Sequence, residues 1–299
     1  MSHRAKPKGR DVTVSKALSY LLRHAAEREG LKMNAQGYAN VSDVLSWRKL
    51  KSQKVTLAEI LNAVAESDKK RFALFHVPSE ESESTTATHP PVPPAAPTTP
   101  VPEDASASIT PPATSAAQET ATQKALAARG DTDPSHFLIR ATQGHSIKSI
   151  EASSYLERLS LTDETSLPRT VVHGTFHSAW PRILESGGLK CMGRNHVHFA
   201  TGPALEEAVP SDDGKVLAQG NGGGKVISGM RRDAQVLIYI DLRRALAAGC
   251  PFWRSENGVI LSEGLDGGSM VPAEFFDVVV ERKKKLGRIW EGGKVMREL

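Results

Sequence analysis

The sequence has little cysteine and no long apolar run. Only Cys191 and Cys250 occur among 299 residues, which excludes a disulfide framework and a four-cysteine zinc site and favours a reducing compartment. No apolar stretch approaches the roughly 20 residues of a membrane span, and the N-terminal MSHRAKPKGRD lacks the apolar core of a signal peptide. We therefore expect an intracellular protein, cytoplasmic or nuclear, without a membrane partner. The run ERKKKLGR from Glu281 is typical of either a nuclear signal or a solvated basic tail.

Aromatic residues are also scarce, and residues 79–133 contain none. This interval has nine prolines and many Ser, Thr and Ala residues, so it has too little apolar surface to offset its ordering entropy and is predicted to be disordered. Its eight acidic and two basic residues give it a formal charge of −6. Because the whole chain has a net charge of +4, the rest of the chain has a charge of +10. A body this basic fits RNA, DNA or phosphorylated metabolites, although ordinary surface lysines account for the charge equally well.

The N-terminal residues predict three short helices and a β-hairpin. Val14, Leu18 and Leu21 recur at helical spacing, Asn40 is placed to cap a second helix, and Thr56 with Glu59 forms a capping box before a third. RFALFHVP from Arg71 has strand composition, and HFLIRA from His136 offers it a partner. Residues 1–78 and 134–150 are therefore predicted to form a winged-helix lobe, with 79–133 as an enlarged wing loop. Such lengthening costs roughly 2 kcal/mol of closure entropy.

The C-terminal half, residues 151–299, is predicted to be rich in strands. Four segments have strand composition with Gly and Pro between them, namely HVHFA, AQVLIYIDL, GVILSEG and FFDVVVE. A further short strand, RTVVHGT, precedes a helix that begins after Ser178, with Pro181 in its first turn. Together with the N-terminal lobe this gives an α+β protein of two lobes.

Several motifs carry chemistry only in combination. Arg23 and His24 end the helix LSYLLRH, where cationic residues are common on a solvated face. Arg71 and Arg231, the latter beside Arg232, are each more typical of a surface charge. If these arginines converge from the two lobes, however, their guanidinium forks suit a phosphate and oppose the growth of its charge.

Other motifs are weaker. GNGGGK, from Gly220 to Lys225, lacks the residues of a Walker loop and is interpreted as a flexible insertion. His196 and His198 lie two apart on a strand and, with His173, offer metal ligands, but no spacing completes a zinc site, so no metal is expected. His173, Gly174 and Thr175 indicate either a ligand contact or an ordinary turn.

The ordered motifs closely resemble the RNA 2′-phosphotransferases, which include the tRNA 2′-phosphotransferases of fungal-type tRNA splicing. The resemblance rests on RDVTVSKALSYLLRHAA, GYANVSDVL, DKKRFAL, ATQGHSIKSI, HGT, RNHVHFA and KVISGMRRDAQVLIYID, in this order. It implies a winged-helix RNA lobe, an ADP-ribosyltransferase-like lobe, and NAD as a consumed cosubstrate. We expect a monomer, although no residue pattern reports the oligomeric state.

The resemblance also implies the chemistry and the residues. An internal RNA 2′-phosphate, from a spliced tRNA in the best-known members, is transferred to ADP-ribose, giving a 2′-hydroxyl, nicotinamide and ADP-ribose 1″,2″-cyclic phosphate. The implied catalytic set is Arg23, His24, Arg71 and Arg231. The implied NAD contacts are His173, Gly174, Thr175, His196 and His198, and the residues expected to border the RNA phosphate cleft are Arg140, Gln143 and His145.

Two alternatives stay open at this point. One is an ADP-ribosyltransferase that acts on nucleic-acid phosphates and stops after the first step, and the other is a non-catalytic RNA-binding protein. The sequence departs from the family pattern in the proline-rich interval and in a lengthened connection after Ala200, between residues 201 and 225. The second departure lies near the implied NAD contacts.

Overall fold

The computed structural model describes residues 9–78, 115–208, 229–231 and 233–299. Helices and strands both contribute, and the strands in these ranges form four antiparallel sheets. The predicted α+β class is therefore confirmed, while the winged-helix and ADP-ribosyltransferase-like identities of the lobes stay predictions. None of the helices in these ranges has the length and apolar character needed to span a membrane.

The N-terminal elements form one small helical and sheet unit. In chain order they are α1 (Gly9–Tyr20), β1 (Ala39–Asn40), α2 (Val41–Ser46), α3 (Arg48–Ser52), α4 (Leu57–Ala65), β2 (Phe72–His76), α5 (Ser115–Ala127) and β3 (Phe137–Ala141). The strands pair in the order β1-β3-β2, with Leu74 opposite Ile139, as the hairpin prediction requires. Asn40 caps α2, and the Thr56–Glu59 capping box begins α4, also as predicted.

Helix α5 corrects the prediction of disorder across residues 79–133. It packs on β2 through Gln118, Thr122 and Ala125, which are almost fully buried, and the Leu74 N–H donates to Thr122 Oγ1 at 3.1 Å. The average composition of the interval hid this short stripe, in which the small residues Thr122 and Ala125 let the helix approach the sheet closely. Residues 79–114 of the predicted disordered interval lie outside the described residues.

The C-terminal elements confirm the predicted excess of strands. They are β4 (Glu157–Arg158), β5 (Val172–Thr175), α6 (Trp180–Glu185), β6 (Gly188–Lys190), β7 (Val197–Phe199), α7 (Leu205–Ala208), β8 (Val236–Ile240), α8 (Leu242–Ala247), β9 (Trp253–Arg254), β10 (Ile260–Ser262), β11 (Met270–Pro272), β12 (Phe276–Glu281), β13 (Gly287–Glu291) and β14 (Lys294–Val295). Their sheets have the orders β14-β13-β12-β8-β5, β4-β9-β10-β7 and β11-β6.

The main core of this half lies between its two larger sheets. Ile238 and Val279 of the five-stranded sheet and Phe199 and Ile260 of the four-stranded sheet belong to one cluster and have no exposed surface. Full burial of such side chains stabilises the fold by roughly 1.5–3 kcal/mol each. The packed sheets therefore form a rigid support for the loops at their edges.

A separate apolar cluster joins the two halves of the chain. Ala26, which follows the first helix, packs with Ile147 and Tyr155 and with Val259 and Leu261 beside and within β10. Since Ala26 is three residues from Arg23, this cluster fixes the end of the first helix against the strand-rich half.

The basic run after Glu281 is not a tail. It forms the turn between β12 and β13, and the fully buried Glu281 carboxylate accepts the backbone N–H groups of Lys283, Lys284 and Leu286 at 2.6–3.1 Å. His177 Nε2 lies 2.8 Å from the same carboxylate. These hydrogen bonds lower the pKa of Glu281 against the effect of burial, which is the largest single influence and raises it.

Helix α5 provides a test of its packing. Ala125→Gln introduces a long polar side chain at a fully buried position, whereas Ala127→Gln changes an exposed one. We expect the first variant to lose about 1–3 kcal/mol of unfolding free energy and the second to stay within about 0.5 kcal/mol of the wild type. Urea unfolding followed by circular dichroism measures both, and equal losses would show that α5 does not pack on β2.

Candidate active site

Arg23 and His24 lie on a π-helical turn, Leu21–Ala25, that continues α1. The turn buries Leu21 and Leu22 completely and so anchors its apolar side in the N-terminal core. π-Helical turns are rare and frequently occur at functional sites, because the wider turn redirects side chains. The predicted helix therefore changes its winding at Arg23 and His24.

The Arg23 side chain has unused hydrogen-bonding capacity. Its Nε and Nη2 atoms are buried and have no partner within the described part of the chain. Burial, followed by the charges of Arg194 and Arg71, lowers the pKa of Arg23 to about 10. A buried cation without a partner is costly, so Arg23 is prepared to bind an anion.

Arg194 is a site residue that the sequence reasoning missed. After burial, its charge is the next cause that lowers the pKa of Arg23, of His24 and of His198. Burial and then the charge of Arg231 lower the pKa of Arg194 itself. Arg194 therefore connects the two lobes electrostatically. The signal was present in RNHVHFA, of which Arg194 is the first residue, but only the histidines of that motif were singled out.

Arg71 is held at the start of β2. Its N–H donates to Ser67 Oγ at 3.1 Å, and its carbonyl accepts the Thr142 N–H at 3.0 Å. The β2–β3 hairpin thus carries Arg71 to the π-helical turn, where its charge contributes to the lowered pKa of Arg23.

Arg231 comes from the opposite half of the chain. It is exposed, and its guanidinium carbon lies 5.5 Å from the centroid of the Phe176 ring. Two residues before Arg231, the backbone passes so close to β7 that only glycine fits. A Cβ on Gly229, which has φ +88°, would lie 2.4 Å from the Phe199 carbonyl oxygen. The predicted GNGGGK loop and Arg232 lie outside the described residues.

Arg23, Arg71, Arg194 and Arg231 together form what we call the arginine cluster. None of the four makes an ion pair with a carboxylate in the ranges that the structure describes. Mutual repulsion among these cations is relieved when a multivalent anion binds, and guanidinium forks match phosphate oxygens. The arrangement suits an anion, and the assignment of these arginines to a phosphate site stays a prediction.

His24 is oriented by a residue from the second half of the ATQGHS motif. Its Nδ1 lies 2.9 Å from Ser146 Oγ, and the Ser146 N–H donates to the Arg23 carbonyl at 2.9 Å. Burial, then Arg194 and Arg23, lower the pKa of His24, which favours the neutral ring at neutral pH. The exposed imidazole is thus fixed at one nitrogen beside the arginine cluster.

The HGT motif lies on β5, but its glycine serves a packing role. A Cβ on Gly174 would lie 2.4 Å from Met230 Cγ, so a protein side chain occupies the space that the sequence interpretation assigned to a ligand. Thr175 is buried. His173 Nδ1 donates to the His198 carbonyl at 2.9 Å, which ties the motif to β7, and burial lowers the pKa of His173.

His196 and His198 have different surroundings. His196 is buried, with Nε2 3.5 Å from Glu263 Oε1, and burial lowers its pKa although Glu263 raises it. The buried Nε2 atom of His198 has no hydrogen-bond partner in the described ranges. Burial and then Arg194 lower the pKa of His198 to about 3, so this ring stays neutral next to the arginine cluster.

Arg140 does not border an open cleft, and the predicted contact with RNA phosphate is wrong for this residue. Its side chain is fully buried, with the guanidinium carbon 5.1 Å from the ring centroids of both Tyr38 and Tyr155. It donates to Gln118 of α5 and lies 3.7 Å from Glu256. These contacts make Arg140 a support that joins α5 to both halves of the fold.

The remaining cleft residues flank a glycine that touches the arginine cluster. Gly144 has φ +86°, and a Cβ there would lie 3.5 Å from His198 Nε2 and 3.7 Å from Arg23 Nη1. Gln143, before it, is half-buried. His145, after it, is fully buried with Nδ1 3.2 Å from the Tyr155 hydroxyl, so His145 supports the cleft from behind rather than facing it.

The one group of described residues with the arrangement of a metal site lies elsewhere. The ligand atoms of His76, Asp131 and His136 are all within 4.8 Å of one another. Asp131 Oδ2 accepts from both rings, at 2.9 and 2.7 Å, and these bonds, with the Asp133 N–H, lower the pKa of Asp131. A shared carboxylate explains the cluster without an ion, and the prediction of no metal stays a prediction.

This geometry agrees with the family to which the chain belongs. Residues 9–264 match the model of the family described as RNA 2′-phosphotransferase, Tpt1 / KptA family, and on that extent of match the chain is a member of it. The resemblance predicted from its motifs is therefore confirmed.

Named relatives cover most of the chain. The tRNA 2′-phosphotransferase 1 of Danio rerio is 30% identical over 266 residues, which are 89% of this chain and 84% of the relative. That of Homo sapiens is 32% identical over 91% of this chain and 77% of its own length. The tRNA 2′-phosphotransferase of Saccharomyces cerevisiae is 31% identical, with 91% and 84% covered.

The buried His145 ring makes stability depend on pH. Its pKa in the folded protein is lowered to about 3, by burial first and then by Arg23 and Arg140. Below about pH 6.5 the unfolded chain binds a proton that the folded chain excludes, so this residue lowers stability as the pH falls. Relative to His145→Gln, the wild type should lose roughly 1 kcal/mol of unfolding free energy per pH unit between pH 6 and pH 4.

Urea titrations of both proteins at pH 8, 7, 6, 5 and 4 measure this difference. The two should keep a constant difference in unfolding free energy from pH 8 to 7, where neither state titrates His145. Parallel curves down to pH 4 would mean that His145 is protonated in the folded protein.

The arginine cluster predicts binding of inorganic pyrophosphate. At constant ionic strength, pyrophosphate should raise the Tm of the wild type, because an anion that binds only the folded state stabilises it. Arg194→Gln removes one cation of the cluster and should reduce this shift by half or more. Arg243→Gln is the matched control, since Arg243 is exposed and paired with Glu164 at 2.7 Å, and it should keep the full shift. Equal shifts in both variants would exclude Arg194 from the anion site.

Proposed function

We propose that this protein transfers an internal 2′-phosphate from RNA, with a spliced tRNA as the natural substrate, to the ADP-ribose of NAD. The single observation that carries the proposal is the arginine cluster, four cations from both halves of the chain with no carboxylate partner among the described residues. Family membership and the printed names of the relatives support the RNA 2′-phosphate as the group transferred.

The residues present fit two phosphate-bearing substrates. Arg23 offers two unpaired donors, which suit phosphate oxygens. His198 Nδ1 donates to the His196 carbonyl and the ring is neutral, so its unpaired Nε2 is an acceptor that suits a ribose hydroxyl of NAD. The N-terminal helices and the β1-β3-β2 sheet support a winged-helix lobe that binds the RNA. We assign NAD to the strand-rich, ADP-ribosyltransferase-like half, beside His173, His198 and Arg231.

The first step forms a bond between the RNA phosphate and the nicotinamide ribose. A 2′-phosphate oxygen attacks the anomeric carbon of that ribose, the bond to nicotinamide breaks, and nicotinamide leaves with the bonding electrons. Arg23 and Arg71 hold the phosphate for attack. Positioning of this kind removes much of the entropic barrier between two bound reactants.

The second step releases the RNA. The neighbouring 2″-hydroxyl of the ribose attacks the phosphorus atom, the bond between phosphorus and the RNA 2′-oxygen breaks, and the hydroxyl proton ends on that oxygen. The phosphorus centre becomes highly anionic during this exchange, and the arginine cluster stabilises that charge. The assigned residues need no metal ion to supply positive charge.

Two roles are open to His24, phosphate contact and proton transfer. Its Nδ1 is engaged with Ser146, so phosphate contact and proton transfer both have to use Nε2. A charged ring that contacts phosphate gives a rate that falls as the pH rises through its pKa, whereas a general base for the 2″-hydroxyl gives a rate that rises as the ring loses its proton. The pH profile of the second step separates the two roles.

The deciding experiment uses an RNA with one internal 2′-phosphate, with and without NAD. We expect NAD-dependent formation of the 2′-hydroxyl RNA, with one nicotinamide and one ADP-ribose 1″,2″-cyclic phosphate per RNA, measured by chromatography and mass spectrometry. Arg71→Ala and Arg231→Ala should slow the second step about 10²- to 10³-fold, because each removes positive charge from the transition state, and ADP-ribosylated RNA should accumulate.

Arg243→Gln serves again as the control and should retain wild-type rates. If the wild type leaves the 2′-phosphate in place with NAD present, the proposal is wrong. Stable ADP-ribosylated RNA as the final product would instead identify a transferase of the first step only, and RNA binding without any product would identify a non-catalytic binding protein.

A further inference from the structure

Two aromatic rings extend from the arginine cluster across the surface of the N-terminal half. The Tyr20 ring centroid lies 6.5 Å from that of His24, one helical turn along, and 6.4 Å from that of Trp47 at an interplanar angle of 31°. Tyr20 is 42% exposed, and Trp47 is half-buried at the junction of α2 and α3. The three rings form a continuous row that starts at the site of the phosphate.

Cations accompany this row. The Arg28 guanidinium lies 5.8 Å from the Tyr20 ring centroid and Lys49 Nζ lies 5.9 Å from that of Trp47. Arg48 and Lys51 are exposed on the same short helix as Lys49. Aromatic faces interleaved with cations are the arrangement with which proteins hold single-stranded nucleic acid, because bases stack on rings while cations follow the phosphates.

The polar ends of both rings are already engaged inside the protein. Arg28 donates to the Tyr20 hydroxyl, and Trp47 Nε1 donates to Glu29 Oε2 at 2.9 Å. Glu29 also lies 3.4 Å from Arg28, which offsets its negative charge. The polar groups of both rings are therefore already bonded within the protein, so recognition here depends on stacking and tolerates any base.

We propose that Tyr20 and Trp47 form a stacking platform for the RNA nucleotides next to the one that carries the 2′-phosphate. This inference rests on the proposed function. We assign RNA as the occupant because the row of rings begins at the phosphate site and is lined with cations. A protein partner fits this surface less well, because the polar groups of both rings are already hydrogen-bonded within the chain and four cations surround the rings. The platform holds the RNA strand by its bases while the arginine cluster holds its 2′-phosphate.

The test compares substrates of increasing length. RNAs of one, two, four and eight nucleotides, each with one 2′-phosphate, are assayed for kcat/KM, and fluorescein-labelled octamer is titrated without NAD. Trp47→Ala and Tyr20→Ala should lower octamer affinity, and the ratio of kcat/KM between octamer and mononucleotide, by about 5- to 100-fold each, as expected for loss of one stacked base.

Conservative variants separate stacking from folding. Tyr20→Phe and Trp47→Phe keep a ring and should retain most of the affinity, while the quenching of tryptophan fluorescence by the octamer should be lost selectively in Trp47→Phe. Arg243→Gln should match the wild type throughout. Circular dichroism confirms that each variant is folded, and where an alanine variant is not, the quenching in Trp47→Phe decides alone.

Each result has a defined meaning. Wild-type affinity and length dependence in the alanine variants, or quenching that survives in Trp47→Phe, overturn the platform. Self-association through this face with unaltered RNA affinity also overturns it and assigns the rings to a second copy of the chain. If the octamer binds and quenches Trp47 but is never dephosphorylated, the platform stands and the proposed reaction fails.

Discussion

Repulsion among four arginines is the constraint on which the rest of this structure depends. After burial, the charges of Arg194 and Arg71 lower the pKa of Arg23, and the charge of Arg231 lowers the pKa of Arg194. Within the described ranges no carboxylate offsets these four cations. Such an arrangement opposes folding, because like charges at close range are unfavourable and partial burial strengthens the effect. It persists only because each arginine is carried on an element that is fixed by other contacts. The packing of the core thus offsets the repulsion among the four arginines and keeps them in place.

The anchors of the four arginines differ in kind. The π-helical turn holds Arg23 through the buried Leu21 and Leu22, and the β2–β3 hairpin holds Arg71. Arg194 precedes β7, and the Asn195 N–H donates to the His145 carbonyl at 2.9 Å, so its loop is fastened to the other half of the chain. The apolar cluster around Ala26 and Val259 then fixes the two halves together, which sets how closely the cations approach.

Arg140, which lies in the same half of the chain as Arg23 and Arg71, has the opposite role. It lies between Tyr38 and Tyr155 with Glu256 nearby, and desolvation raises the pKa of Glu256 to about 7 despite the arginine. The Nε and Nη1 atoms of Arg140 have no hydrogen-bond partner in the described ranges, as two nitrogens of Arg23 have none, but the side chain is fully buried and a ligand cannot reach it. Inside the same half of the chain, enclosure therefore separates this structural arginine from Arg23 and Arg71, the candidate anion ligands.

The sequence by itself determined the α+β class, the hairpin, the capped helices and family membership, because these follow from local periodicity, capping residues and motifs that are contiguous in the chain. It also identified Arg23, His24, Arg71 and Arg231 as the candidate anion ligands. Only the tertiary structure decided which charges meet. Burial and distance are properties of segments far apart in sequence, and they brought Arg194 into the site, removed Arg140 from it, placed Met230 against Gly174 and packed α5 on β2 through small residues that average composition could not reveal.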